Sequence, residues 1–278
     1  MNFESQKFVL LGGSGILGKG LSKRFNEKVI LETSRSEIDS WLGSSGLTKM
    51  SQYFASLGTN VTVINALGLT DPKAPFQQLE LLNSTLPMRI RESIDNLGHK
   101  LITFGSILEN NLSLASVNPY IRAKRNFLES IEDHPSNKDH LHLQLHTIYG
   151  GERSHPHMFI EQIYRSLSAN SEFEMSSGLQ IREYHHIDDE VNAIAIFATT
   201  ELSGVFQLNS GNAIQIKHLA TSIFEEFEKL SLLKFNSALD GIDVYENCYK
   251  KSPFLDEVQF RDPILGVTEY LKSHLTSN

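Results

Sequence analysis

The apolar run Phe8-Val-Leu-Leu11 passes directly into Gly12-Gly-Ser-Gly15-Ile-Leu-Gly18, and no other stretch constrains the fold as tightly. A short apolar strand that closes on a glycine-rich turn and opens a helix is the first half of a βαβ unit. Glycines there let backbone N–H groups approach negative charge at the positive end of the helix dipole, as the pyrophosphate of a dinucleotide requires. Gly12, Ser14, Gly15, Ile16, Leu17 and Gly18 are the candidate contacts for such a group. The spacing is GxxGxxG rather than GxGxxG, so the pattern is met in context and not letter for letter. The plainer reading is a tight turn that binds nothing.

The first half of the chain continues in the same manner. Short apolar runs, Lys7 to Leu11, Val29 to Thr33, Val61 to Ala66, Leu101 to Phe104 and Leu141 to Leu145, alternate with longer amphipathic stretches. This order predicts an α/β fold, a parallel sheet with crossover helices, and near-continuous Val/Ile/Leu runs fit strands covered on both faces. A helix is expected near Gln77 to Asn96, bent by Pro87, which removes one backbone hydrogen bond. After Gly150-Gly151 the pattern changes: residues 157–169 read helical, 180–187 extended, 188–200 helical, 204–208 as a strand and 216–230 helical. The expected division is a dinucleotide-binding domain over 1–150 and a smaller substrate-binding lobe over 151–278, with segments returning to the main sheet. Residues 133–139, with Pro135 and Asn137, read as a surface loop.

Composition removes several function classes. At 278 residues, 40% hydrophobic and 21% charged, the chain can bury a full core. A net charge of −8 without any Lys/Arg cluster gives no electrostatic footing for nucleic acid or an anionic membrane surface, so a small-molecule partner is expected. Cys248 is the only cysteine, which excludes an intrachain disulfide and a thiolate zinc site and fits a reducing compartment. The N-terminus lacks the basic-then-apolar layout of a signal peptide, and no apolar run approaches the ~20 residues that span a bilayer. A cytoplasmic protein is expected.

Asn65-Ala66-Leu67-Gly68 ends a later strand and would lie beside the same crevice, because ligands gather outside the carboxyl ends of parallel strands. A simple strand cap is the bland alternative. The end of the second strand discriminates between nicotinamide cofactors: an acidic residue holds a ribose hydroxyl, whereas a basic one accepts an extra phosphate. Thr33-Ser34-Arg35 stand there, so Ser34 and Arg35 favour NADP, while Glu32 leaves NAD open.

Tyr120-Ile-Arg-Ala-Lys124 puts a phenol and an ammonium on one helix face. A free tyrosine has a pKa of about 10, and a neighbouring ammonium favours the phenolate, which makes proton exchange with an alkoxide feasible. Ser106, just after the Leu101 to Phe104 strand, offers a hydroxyl to the same oxygen. Out of context, an ordinary amphipathic pair with a surface lysine explains Tyr120 and Lys124 equally well.

Taken in order, Gly12xxGly15xxGly18, Asn65-Ala-Leu-Gly68, Ser106, Tyr120xxxLys124, Ile148-Tyr149-Gly150 and Arg182-Glu-Tyr-His-His-Ile-Asp-Asp189 resemble the extended short-chain dehydrogenase/reductases, the NAD(P)-dependent epimerase/dehydratase family. The resemblance implies a Rossmann-type doubly wound parallel sheet with a smaller C-terminal lobe. It implies that Ser106, Tyr120 and Lys124 are the catalytic triad: Tyr120 as acid or base, Lys124 on the nicotinamide ribose, Ser106 on the carbonyl. Ile148 and Tyr149 would pass beside the nicotinamide, Arg182 would hold the diphosphate of a nucleotide-sugar, and His157 would touch the nucleotide. Dehydratases of this family carry an Asp-Glu pair directly after the hydroxyl residue, and Ile107-Leu108 stand there instead. The Asn118-Pro-Tyr120 approach and Gly178-Leu-Gln-Ile-Arg182 are similar to nucleotide-sugar 4-ketoreductases such as abequose synthases and dehydrorhamnose reductases. The expectation is therefore an NADPH-dependent 4-keto-sugar reductase. An NAD-retaining epimerase and a non-catalytic dinucleotide sensor are the alternatives, and a homodimer built on two packed helices is the assembly the resemblance implies.

His155, His157, His185 and His186 are metal-capable side chains, but no ligand spacing of a known kind appears and no metal site is assigned. Asp188 and Asp189 are expected to cap the following helix, and Asn83 to bind a buried water or backbone carbonyl.

Overall fold

The computed structural model describes residues 7–26, 29–71, 73–133, 139–241 and 250–276. Cys248 and most of the expected 133–139 loop lie outside the described residues. In chain order the first half contains β1 (Lys7–Leu11), α1 (Ile16–Phe25), β2 (Val29–Glu32), α2 (Arg35–Trp41), α3 (Gly46–Ser56) and β3 (Val61–Asn65). It continues with α4 (Phe76–Glu80), α5 (Leu86–Ile94), β4 (Lys100–Ser106), α6 (Leu112–Val117), α7 (Pro119–Asp133) and β5 (His140–Leu145). The second half follows with β6 (Thr147–Tyr149), α8 (Phe159–Ala169), β7 (Phe173–Met175), β8 (Ile181–Arg182), β9 (Tyr184–His186), α9 (Ile187–Ala198) and β10 (Gly204–Gln207). The chain then forms β11 (Ile214–Gln215), α10 (Ile216–Glu226), β12 (Leu233–Phe235) and α11 (Pro263–Leu275).

Six strands form one parallel sheet in the order β10-β5-β4-β3-β1-β2. The chain moves outward from β1 to β2, then returns to the other side of β1 at β3, so the switch point lies between β1 and β3. This is the Rossmann-type doubly wound sheet expected from the sequence. Every residue of β3 and β5 is buried, as befits strands covered on both faces. Val9, Leu11, Val61 and Val63 pack with Ile38, Trp41, Met50, Phe54 and Ile90 from α2, α3 and α5.

Contacts divide the chain into two compact units, Met1–Leu145 with Ile194–Gln207, and His146–Ala193 with Leu208–Asn278. The second has its own core, in which Tyr149, Ile163, Leu167, Leu219, Phe224, Val267 and Leu271 pack together, with small β6–β9, β8–β11 and β7–β12 ladders around it. No described helix is long and apolar enough to cross a membrane.

Pro87 does more than bend its helix. It cannot donate to the carbonyl of Asn83 and its ring crowds that oxygen. The chain responds with a π turn over Leu81–Thr85, where the N–H of Leu86 reaches back to the carbonyl of Leu81. Asn83, fully buried in that turn, donates from Nδ2 to the Leu69 carbonyl (2.8 Å) and accepts at Oδ1 from the Leu69 N–H (3.1 Å).

Candidate functional site

The glycine turn is built by contacts, and its three spaced glycines have different reasons to be there. Gly12 has φ +89°, and a Cβ on it would sit 2.9 Å from the backbone of Ala66 and Leu67. It thereby lets the turn after β1 lie on the Asn65–Gly68 segment, to which Leu11 is tied by the Ala66 N–H (2.8 Å). A Cβ on buried Gly18 would collide with the Gly12 carbonyl, so Gly18 lets α1 close on the turn. Gly15 has an ordinary φ of −76° and its nearest potential neighbour is 3.8 Å away. Nothing in the protein demands a glycine at that position. It is exposed at the N-cap of α1, which has no side-chain cap, so the first-turn N–H groups around Ile16 and Leu17 face outward beside a bare Cα. Ser14 is exposed beside it. That surface fits a pyrophosphate.

At the end of β2 the structure adds a group that sequence reasoning missed. Ser34 is the N-cap of α2, and its N–H (2.8 Å) and hydroxyl (2.7 Å) both donate to the Glu37 carboxylate. The backbone and side-chain bonds from Ser34 hold that carboxyl below its usual range. A carboxylate therefore stands at the strand tip after all, brought back by one helical turn. The signal was the capping-box spacing Ser34xxGlu37. Arg35 is exposed on the first turn of α2, and the Thr33 hydroxyl is buried without a hydrogen-bond partner.

The end of β4 carries the reacting candidates. Asn118 caps α7 by accepting from the N–H groups of Tyr120 (3.0 Å) and Ile121 (3.2 Å), with Pro119 preset for the first turn. Lys124, one turn further, is 8% exposed and donates to the Phe104 carbonyl at 2.7 Å. A Cβ on Gly68 would lie 3.9 Å from Lys124 Nζ, which places the Asn65–Gly68 segment against the ammonium. Asn65 is buried and accepts the Leu67 N–H. The Ser106 hydroxyl accepts weakly from the Leu108 N–H (3.3 Å), leaving its own O–H to donate.

Burial pushes the Tyr120 phenol up, and the charge of Glu109 pushes it further in the same direction. The net displacement is opposite to the one expected from Lys124 alone. Burial also lowers the Lys124 ammonium, and Glu109 opposes that. Glu109, fully buried three residues after Ser106, was absent from the sequence reading. It accepts from the Ser106 N–H (3.2 Å), His142 Nε2 (3.0 Å) and Gln144 Nε2 (2.8 Å).

The remaining predicted residues belong to the second unit. Ile148 and Tyr149 form β6, paired with His185 and His186 of β9. The Tyr149 phenol is buried in that unit's core, against Gly266, without a hydrogen-bond partner. Arg182 is 7% exposed and its guanidinium donates to the Ile181 carbonyl (2.8 Å). His157 is half-buried beside His155, and its carbonyl accepts from Gln162. Asp188 and Asp189, expected to cap α9, instead lie in its first turn and bind Arg261, Asp189 through the Arg261 N–H at 2.9 Å. Among the described residues no group of three or more His, Cys, Asp or Glu side chains is arranged to hold a metal ion.

Comparison with known proteins matches residues 8–208 to a family described as "Epimerase: NAD dependent epimerase/dehydratase family". Among solved structures, MoeE5 in complex with UDP-glucuronic acid and NAD is similar at TM-score 0.74 and 17% identity, over 98% of this chain and 100% of that one. dTDP-4-dehydrorhamnose reductase from Bacillus anthracis, in complex with NADP, is similar at TM-score 0.75 and 14% identity, over 96% and 99%. UDP-N-acetylglucosamine 4-epimerase from Methanobrevibacter ruminantium is similar at TM-score 0.74 and 15% identity, over 98% and 99%.

Proposed function

This chain belongs to the NAD dependent epimerase/dehydratase family, and on that premise we propose that it epimerises a nucleotide-linked sugar with an NAD it keeps through both half-reactions. The observation that carries the reading is the end of β4, where a buried ammonium rests on the Phe104 carbonyl beside Gly68 and a serine hydroxyl follows two residues along. MoeE5 with UDP-glucuronic acid and NAD, and the UDP-N-acetylglucosamine 4-epimerase, support the substrate class.

Each group has a task. The open face of Gly15 and the uncapped start of α1 hold the pyrophosphate, and the Glu37 carboxylate accepts from the ribose hydroxyls, a partner that repels the extra phosphate of NADP. Bound nicotinamide supplies the hydride acceptor and donor. Lys124 holds the nicotinamide ribose, Tyr120 exchanges the proton of the sugar hydroxyl, and the free Ser106 O–H donates to the same oxygen. The raised phenol suits the half-reaction in which Tyr120 gives its proton to an alkoxide. In the second unit Arg182 is the candidate diphosphate anchor, a task that suits the planar fork of its guanidinium.

A second reading, the NADPH-dependent 4-keto-sugar reductase, is favoured by one residue, exposed Arg35 on the first turn of α2. One experiment separates the two: denature the purified protein, identify any released dinucleotide, and assay UDP-glucose, UDP-glucuronic acid and UDP-N-acetylglucosamine for 4-epimers. Retained NAD with epimer formation is expected. An empty protein that oxidises NADPH against 4-keto-sugars establishes the reductase, and cofactor binding with no turnover of either kind defeats both. Tyr120→Phe is expected to lower turnover by about 10²- to 10⁴-fold while dinucleotide binding survives.

A further inference from the structure

The layer between β4, β5 and α7 is polar where a buried α/β layer is ordinarily apolar. His140, His142 and Gln144 share one face of β5 by the alternation of a strand, and all three are buried. Thr103 of β4 pairs with His142 in the sheet, and its hydroxyl meets His142 Nδ1 at 2.7 Å and His140 Nε2 at 2.8 Å. His142 Nε2 then donates to Glu109 Oε1 (3.0 Å), so an unbroken chain of hydrogen bonds runs from His140 through Thr103 and His142 to the carboxylate. The ring of Phe127 on α7 covers both histidines. Gly105 makes the room: a Cβ on it would collide with the Glu109 carboxylate and His142 Nε2.

Three consecutive residues of β4 thus join this cluster to the reacting groups. The Phe104 carbonyl holds Lys124, Gly105 faces Glu109, and the Ser106 N–H binds Glu109 Oε2. We propose that Glu109 is the positioning residue of this site: held by His142 and Gln144, it pins the backbone of Ser106 and supplies the fixed negative charge against which Tyr120 and Lys124 exchange protons. The proposal rests on the reading of Tyr120, Lys124 and Ser106 as the reacting groups. Glu109 takes three hydrogen bonds, and its charge raises both the phenol of Tyr120 and the ammonium of Lys124. The charge-bearing groups facing Glu109 from the packed elements are Lys124 and Tyr120 of α7 and His142, with His140 behind it, of β5; burial, His142 and Arg91 hold His140 well below its ordinary value, so it is a neutral link.

The test reads the phenol itself. In the protein as purified, its dinucleotide retained, carrying ¹³Cζ-tyrosine, the Tyr120 signal is assigned by its loss in Tyr120→Phe and followed with rising pH in the wild type and in Glu109→Gln. The midpoint is expected to fall by about one pH unit or more in Glu109→Gln, with kcat falling and KM held. A midpoint and a kcat both unchanged overturn the proposal. Glu109→Asp keeps the charge but withdraws it from the Ser106 N–H, so it serves if the glutamine variant does not fold: a lowered kcat at unchanged KM and unchanged midpoint is expected, and wild-type kcat overturns the pinning role. If the wild type turns over no nucleotide-sugar and the midpoint still shifts, the functional reading fails and the electrostatic coupling stands.

Discussion

Each unit buries a histidine–carboxylate cluster, and the two differ in charge balance. In the first, one carboxylate, Glu109, takes hydrogen bonds from a backbone N–H, an imidazole and an amide. In the second, His185 lies between two carboxylates, Glu183 at 2.9 Å and Glu190 at 2.6 Å, and Glu183 also takes the N–H and hydroxyl of Ser210. Burial works against the imidazolium, yet Glu190 and Glu183 push His185 up to about 9. The surroundings of the imidazole decide the outcome. Two carboxylates on one ring make His185 a cation that staples the Ser210 loop, whereas in the first cluster the carboxylate acts on the phenol and the ammonium beside it.

The comparison can be broken most forcefully at the staple. His185→Leu leaves two carboxylates buried without their cation and is expected to cost about 3–5 kcal/mol in chemical unfolding; a loss under about 1 kcal/mol shows that the carboxylates had taken up protons instead. Next in size is a pH effect. His185 has a folded value of about 9 against 6.5 for the free group, so its contribution is complete below pH 6.5 and lost as pH rises through 9. That amounts to about 3 kcal/mol. His140, held low, acts in the opposite sense, and its penalty grows as pH falls below 6.5. Unfolding free energies of the wild type and His185→Gln, measured across this range, should differ in alkaline slope, and parallel curves refute the staple. Gly105→Ala forces a methyl into the Glu109–His142 contact and is expected to cost about 1–3 kcal/mol. The smallest effect is expected from Asn209→Ala, which removes a 2.8 Å bond to His146 at the flank of the staple. A loss of about 1 kcal/mol fits an ordinary hydrogen bond, and a loss equal to that of His185→Leu would erase the distinction between staple and flank.

Much of the sheet was legible because strands buried on both faces announce themselves: the runs at β1, β3 and β5 lie within a residue of their expected limits. The same habit hid the polar cluster. His140-Leu-His-Leu-Gln-Leu145 alternates like a half-exposed strand, yet it is central in the sheet, and only the topology turns that alternation into a buried ladder. Glu109 was invisible for a related reason, since one carboxylate in a short turn after a strand has no periodic signature. The local spacing that does betray it, Ser106xxGlu109, is the same box that brings Glu37 to Ser34. Asp188 and Asp189 had the sequence of a cap, but Arg261, more than seventy positions away, competes successfully for both. The final helix, α11, and the two- and three-residue ladders of the second unit carry too few residues or too mixed a pattern to be read locally.

The wide turn at Leu81–Thr85 has a consequence for tolerance to insertion and deletion. A π turn spends one residue more than an α turn over the same advance, so everything downstream is rotated by about 100° relative to an unbroken helix. Leu86, Ile90 and Ile94 reach the core formed with Met50 and Phe54 because of that offset. Shortening the segment by a single residue would remove that offset, swing those aliphatic side chains off their seat, and release Leu69 from the amide that grips it on both sides.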